Sequence, residues 1–309
     1  MTKAKTLLKT THYKKRKALY NLDKEALFNQ QNQTKMRELV EKVLMEDMTW
    51  KEIEEAIKAG KDTAIVVASS IEQHGPHLPT STDTTLGYAL AEACAKKLGN
   101  ALVAPVIRPG LSEHHIGFPG TITLSIDTFV NILYDYCESL VESGFKNIII
   151  LSSHGGNSDT IITYTPRIAK IFIDKAKIFA IPTDRYINAS TDYLSKKGIS
   201  RVKAGVHAGY AETSMMLHVK PQTTRMDLAV EGLADEEFYK PERLKISQLE
   251  SFTYGLKKMT PVGILGDPRG ASAEVGKKLL EVTAEKLAEE IKSFVKPSEK
   301  KGARKKKAS

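Results

Sequence analysis

The chain has 309 residues, 41% apolar and 27% charged, which suits one large α/β domain or two smaller ones with a sizeable core. No stretch approaches the roughly 18 consecutive apolar residues of a membrane-spanning helix, so no span is expected. The net charge of +9 is concentrated at the ends: residues 1–20 carry +7 and residues 296–309 carry +6, leaving −4 for the body between them.

Residues 1–47 read as a basic helical N-terminal extension, in which Met36, Leu39, Val40, Val43 and Leu44 fall at helical spacing. Thr49 and Glu52 form a capping box for a helix through Ala59, ended by Gly60. The β-branched run Thr63–Ala68 has the length of a buried strand and delivers the polar stretch 69–83. Glu72, His74, His77 and Asp83 lie there on a loop broken by Gly75, Pro76 and Pro79, with Asp83 placed near the start of a helix over 84–98. A second strand is expected over 101–107, and the loop after it carries Glu113, His114 and His115. Ser125 or Asp127 begins a helix that runs to about Ser143. The third strand, 147–151, ends in Ser-Ser-His154-Gly-Gly-Asn157, where Asn157 suits a cap for a helix over 158–173. After a fourth strand, Lys177–Ile181, residues 183–204 read as loop. The segment from His207 to Glu212 then leads into a Met- and Leu-rich helix. Residues 225–258 read as loops with a short helix near the site entrance. A turn carrying Asp267 and Arg269 follows, then an amphipathic helix over 271–294 and a Lys-rich, disordered tail over 296–309.

Strands alternating with helices predict a mostly parallel central sheet flanked by helices on both faces. Ligands of such sheets collect at the carboxyl ends of the strands. Loops after three strands, with the 207–212 segment, would bring Glu72, His74, Asp83, His154 and Glu212 to that edge. Buried carboxylates without partners are costly, so the convergence predicts bound cations. Mixed imidazole and carboxylate donors suit zinc, manganese or iron.

With those residues in place, the chain resembles the creatininase family of metal-dependent amidohydrolases. The shared motifs, in order, are Glu72-Gln-His-Gly-Pro-His-Leu-Pro79, Phe118-Pro-Gly-Thr121, His154-Gly-Gly-Asn157, His207-Ala-Gly and Glu212-Thr-Ser214. The resemblance implies a single-domain, creatininase-like α/β sandwich over 48–295, a homohexamer and two divalent metal ions held by Glu72, His74, Asp83 and His154, with Asp83 bridging. Glu212 would be the fifth ligand, because the position at which creatininase itself carries a Glu is Gly156 here. His207 matches the family's non-ligand histidine and is the candidate general acid/base. His115 and Tyr210 would face the substrate, Tyr210 standing where many relatives carry another Glu. His77 is read as a loop-fixing or supporting group.

The implied activity is hydrolysis of a carbon–nitrogen bond in a small cyclic amide or formamide by a metal-bridging hydroxide. Ring ketones and peptide-like substrates are the alternatives within the family. A polyanion- or nucleic-acid-binding role would rest on the basic ends, where interleaved aromatics are limited to Tyr13 and Tyr20 and no binding motif occurs. Cys94 and Cys137 fall among apolar neighbours and suit a reducing cytoplasm.

Overall fold

The computed structural model describes residues 42–295. Both basic ends, and most of the helix expected before residue 47, lie outside the described residues. Compactness divides the chain into residues 1–42 and 43–309, and every described helix and strand belongs to the second unit. Val43 and Leu44 differ from the helical reading. Leu44 is extended and bridges Val103 in parallel, and the Val103 N–H donates to the Val43 carbonyl at 2.7 Å.

The described elements are α1 (Trp50–Lys58), β1 (Thr63–Ala68), α2 (Thr82–Leu98), β2 (Ala101–Val103), α3 (Ile126–Glu142), β3 (Asn147–Ser152), α4 (Ser158–Ile171) and β4 (Lys177–Ile181). They continue with α5 (Asp184–Lys196), α6 (Arg201–Ala204), α7 (Tyr210–Val219), α8 (Pro241–Tyr254), α9 (Leu256–Met259) and α10 (Ala273–Val295). The four strands form one parallel sheet in the order β2-β1-β3-β4, flanked by helices as expected. β1 and β3 are buried along their whole length, which is why both are apolar runs without alternation. On one face, Ile65, Val67, Ile149 and Leu151 pack against Ala91, Cys94 and Ala95 of α2 and Leu287, Ala288 and Ile291 of α10. The alternate residues, including Val66 and Ile150, point to the other face.

Local chemistry accounts for several boundaries. The Thr49–Glu52 capping box is formed in both directions, and Gly60 follows α1 at φ 100°. Ser125 caps α3 by accepting from the Thr128 N–H. The second strand is shorter than expected: Pro105 interrupts it, and pairing resumes only at the Ile107–Ala68 bridge. The stretch 183–204, read as loop, is largely helical, with Tyr186, Ser190 and Leu194 forming the buried stripe of α5. The polar faces of α5 masked a three- to four-residue spacing that only packing on α10 reveals. The 225–258 region likewise holds the fourteen-residue α8, longer than the short helix expected there. α10 packs against α2, α5 and α7, and its Gly276 lies against α7 so closely that a Cβ there would stand 1.9 Å from the Ser214 carbonyl oxygen.

Candidate metal centre

The polar loops after β1, β2 and β3 leave the same edge of the sheet because all strands run in parallel. The loop after β1 is pinned by the Ser69 N–H to the Ile107 carbonyl, by the Glu72 N–H to the Thr80 carbonyl and by the Ile71–Ile122 bridge. Gly75 at φ 65° permits the tight turn at which His74 bridges Leu78. Asp83 lies in the first turn of α2, where its Oδ2 accepts from the Ser70 hydroxyl at 2.7 Å. His154 leaves β3, and Asn157 ties the site together instead of capping α4. Its Nδ2 donates to the Ser69 carbonyl at 2.9 Å and the Ala68 carbonyl at 3.2 Å, while its Oδ1 accepts from the Leu111 N–H at 2.8 Å.

These loops bring Glu72, His74, Asp83, His154 and Glu212 together, with His207 and His115 beside them. His74 Nε2 lies 3.2 Å from Asp83 Oδ1 and 3.9 Å from Glu212 Oε2. His154 Nδ1 lies 3.2 Å from Glu72 Oε2 and 3.3 Å from Asp83 Oδ2. Asp83 thus directs one oxygen toward each imidazole. Donor atoms close enough to share an ion form three groups among the described residues: Glu72–His74–His207, Glu72–Asp83–His154 and His74–Asp83–Glu212. His207, expected outside the ligand set, therefore falls within reach of one such group.

The far nitrogens of the histidines are tied to backbone. His74 Nδ1–H donates to the Glu72 carbonyl at 3.2 Å, His154 Nε2–H to the Leu111 carbonyl at 3.1 Å, and His207 Nε2–H to the Gln73 carbonyl at 2.9 Å. Each bond turns the other ring nitrogen toward the carboxylates, the usual orientation of a metal-binding imidazole. Glu72 is fully buried, yet both its carboxylate oxygens and His74 Nε2 lack a hydrogen-bond partner. Such orphaned acceptors are costly unless a cation meets them, so this donor set fits divalent metal ions.

The electrostatics agree. Burial alone would lower His74, but the adjoining Asp83 carboxylate raises it to about 10. His154 is opposed by burial in the same way and is driven well above its ordinary value by Glu72 and Asp83. Burial works to raise Asp83, yet His74 and His154 hold it well below the usual carboxylate range. Burial pushes Glu212 up to about 7, with His74 opposing. Protons on the imidazoles here do the charge balancing that metal ions would do when bound.

Other sequence candidates are sorted by the same geometry. His115 belongs to the cluster, its Nε2 3.4 Å from Glu72 Oε1. Tyr210, expected to face the substrate, lies apart from the cluster: its ring is buried with Leu194 and Leu279 and lines neither cavity at the site. His77 supports the site from outside, its Nε2 2.9 Å from the Thr213 hydroxyl. At Gly156 a Cβ would stand 2.2 Å from the Leu111 carbonyl oxygen and 2.5 Å from His154 Nε2, so no side chain fits there, and the carboxylate that faces His74 beside Asp83 is that of Glu212. Glu212 is itself held by the Ala208 N–H at 2.5 Å, and Ala208 adopts φ 53° to present it.

Gln73 is a site residue that motif reasoning passed over. Its Oε1 accepts from the Gly75 N–H at 2.9 Å, which aims its NH2 at His115 Nδ1, 3.0 Å away. His115 consequently carries its proton on Nε2, toward Glu72. Within Glu72-Gln-His the Gln offered no ligand chemistry, and only the turn at Gly75 gives it this role.

Comparison with known proteins is consistent with this geometry. The creatininase family profile, described as creatinine amidohydrolase, matches residues 46–291. A mycofactocin precursor peptide peptidase of Mycolicibacterium smegmatis is 29% identical over 235 residues, covering 74% of this chain and 84% of that protein. A 3-dehydro-scyllo-inosose hydrolase of Thermotoga maritima is 31% identical over 191 residues, covering 61% of this chain and 60% of that protein. The solved structure of creatinine amidohydrolase (creatininase) shares the fold with a TM-score of 0.68 at 24% identity, covering 83% of this chain and 99% of that one. The chain belongs to the creatininase family and is, with that family, a metal-dependent hydrolase.

Proposed function

We propose that the chain hydrolyses the carbon–nitrogen bond of an amide at a binuclear centre held by Glu72, His74, Asp83, His154 and Glu212. The observation that carries this reading is the fully buried Glu72 carboxylate, with no hydrogen bond to either oxygen, among imidazoles whose outer nitrogens are tied to backbone. Asp83, with an oxygen toward each of His74 and His154, would be the ligand shared by both ions. Creatininase has been solved in forms designated Zn–Zn and Mn, which supports zinc or manganese here. When bound, such ions polarise a substrate carbonyl and acidify water to near neutrality.

His207 is placed to manage the proton. Its Nε2–H is committed to the Gln73 carbonyl, so Nδ1 is the free base, 3.8 Å from Glu72 Oε1. Burial, reinforced by the neighbouring His74, lowers its pKa well below the ordinary value, so the ring is neutral in the metal-free protein. It would take up a proton and return it to the departing nitrogen, whose expulsion as an anion is otherwise unfavourable. His114, 4.2 Å from His115 between ring centroids and stacked near His154, lines the approach and carries no charge near neutral pH, since burial lowers it to about 3.

The test is a panel of amides, cyclic amides and formamides offered to protein loaded with zinc, manganese or iron, beside His207→Ala. Metal-dependent release of amine, lost with a chelator and reduced at least about 100-fold in His207→Ala, supports the reading. The free, buried thiols of Cys94 and Cys137 are consistent with a reducing cytoplasm as the working compartment. No described helix is long and apolar enough to cross a membrane.

A further inference from the structure

Two cavities meet the candidate centre, and His154, Gly155, Val206 and His207 line both of them. One, of about 230 Å³, reaches Glu72 and His115 and is lined by Phe238 and Phe252. The other, of about 470 Å³, reaches Asp83 and Glu212 and is lined by Leu90, Ile187 and Met215. Both are largely apolar, and each exceeds the roughly 150 Å³ in which a protein cavity can hold a benzene ring. His154 and His207 of the shared wall are fixed by their bonds to the Leu111 and Gln73 carbonyls, which leaves Gly155 and Val206 to set its shape. Packing explains the neighbouring glycines but not Gly155. An added Cβ would stand 2.2 Å from the Leu111 carbonyl oxygen at Gly156 and 2.4 Å from the Leu265 carbonyl oxygen at Gly205. At Gly155 it would meet nothing within 4 Å, and that residue opens a 3-10 turn over Gly155–Asn157 without a positive φ, so its backbone does not require glycine either. Val206 is fixed by its N–H, which donates to the Leu265 carbonyl at 3.0 Å, yet it stays 46% exposed.

We propose that Gly155 keeps a passage open between the two cavities over the metal centre, and that Gly155 and Val206 together set the width of ligand that can lie across it. The two groups on a reacting carbonyl carbon diverge, so a ligand whose carbonyl sits at the shared wall sends one group into each cavity. A side chain at Gly155 has room to form without disturbing the fold, and it would occupy that passage. A smaller side chain at Val206 would widen it. Discrimination by this pair therefore falls on ligands with bulk on both sides of the carbonyl and spares those with bulk on one side only.

This inference rests on the metal-centre reading, and one experiment separates the two. Zinc-loaded full-length wild type, Gly155→Ala, Gly155→Leu and the Gly155→Leu/Val206→Ala double variant are titrated calorimetrically with two metal-chelating probes. Benzohydroxamate carries an aromatic ring on one side of its chelating group, and N-phenylbenzohydroxamate carries one on each side. Wild type should bind both. Gly155→Leu should weaken the two-sided probe at least about tenfold more than the one-sided probe, and Gly155→Ala at least about twofold more, with zinc content as in wild type. The double variant should recover at least about threefold of the Gly155→Leu loss, because the shorter residue 206 returns the space. Equal weakening of the two probes, a double variant that recovers nothing, or a zinc-loaded wild type that does not bind the two-sided probe overturns the inference and leaves the metal centre standing. Should Gly155→Leu not fold, Gly155→Ala decides: equal effects on the two probes overturn the inference. A wild type that takes up no zinc overturns both readings.

Discussion

Glu72 presents two carboxylate oxygens to a buried space with no protein hydrogen bond to either. A water-exposed carboxylate would not need a cation, but this one does, and each neighbouring imidazole is oriented to share it. Gln73 is the residue at which orientation and chemistry can be separated, because it fixes His115 without being placed as a ligand. Gln73→Leu should retain the metal content of wild type while lowering kcat/KM by about 10- to 100-fold and displacing its pH profile, checked by elemental analysis beside steady-state kinetics. The His74–Asp83 pair makes a second prediction. The His74 pKa rises from about 6.5 unfolded to about 10 folded, so in metal-free protein its stabilisation is fully present below pH 6.5 and is lost as pH rises through 10. The same pair holds Asp83 low, so its contribution is lost at the other end as pH falls below the ordinary carboxylate range. Metal must displace the His74 proton, so the stabilisation by zinc should grow across pH 6.5 to 10 while the Tm of chelator-treated protein falls. Calorimetric scans with and without chelator check this, and a pH-independent difference between them would contradict it.

At the scale of elements, β1 and β3 were legible because an apolar run that ends abruptly in His, Glu and Gly is the pattern of a buried strand opening onto a polar loop. Glu72, His74, Asp83, His154 and Glu212 could be picked out from that pattern and from the order of the motifs. Hidden were the features that depend on contacts between distant segments. Asn157 looks like a cap but joins β1 to the loop after β2, and Tyr210 looks like a site residue but turns into the core. α5 and α8 were missed for a related reason: their sequences are polar enough to read as loops, and their buried faces exist only against α10 and the site. The contact between α10 and α7 carries the element-scale prediction. Gly276 lets the two backbones touch, and α7 bears Glu212. Gly276→Ala must push them apart, which should cost roughly 1–3 kcal/mol, seen as a lower Tm, and should also weaken metal retention. Unchanged stability would show that the two helices have room to separate.

For the whole molecule, a parallel sheet with one polar edge gives a hydrolase its site without any loop having to carry it alone. Trp50 on α1 and Leu249 on α8 remain about 70% and 68% exposed, which leaves apolar surface available to another copy of the chain. The homohexamer implied by family resemblance is accordingly proposed for this chain, and light scattering should return a mass near six times 34.2 kDa. A monomeric mass would remove that proposal without touching the site. The most direct test of the central claim is metal content by mass spectrometry on gently purified wild type, His74→Ala and Asp83→Ala, each matched for fold by circular dichroism. About two equivalents of zinc, manganese or iron per chain in wild type, with clear loss in both variants, is the predicted result. A wild-type protein that holds almost no metal and takes up none on addition would contradict the binuclear account.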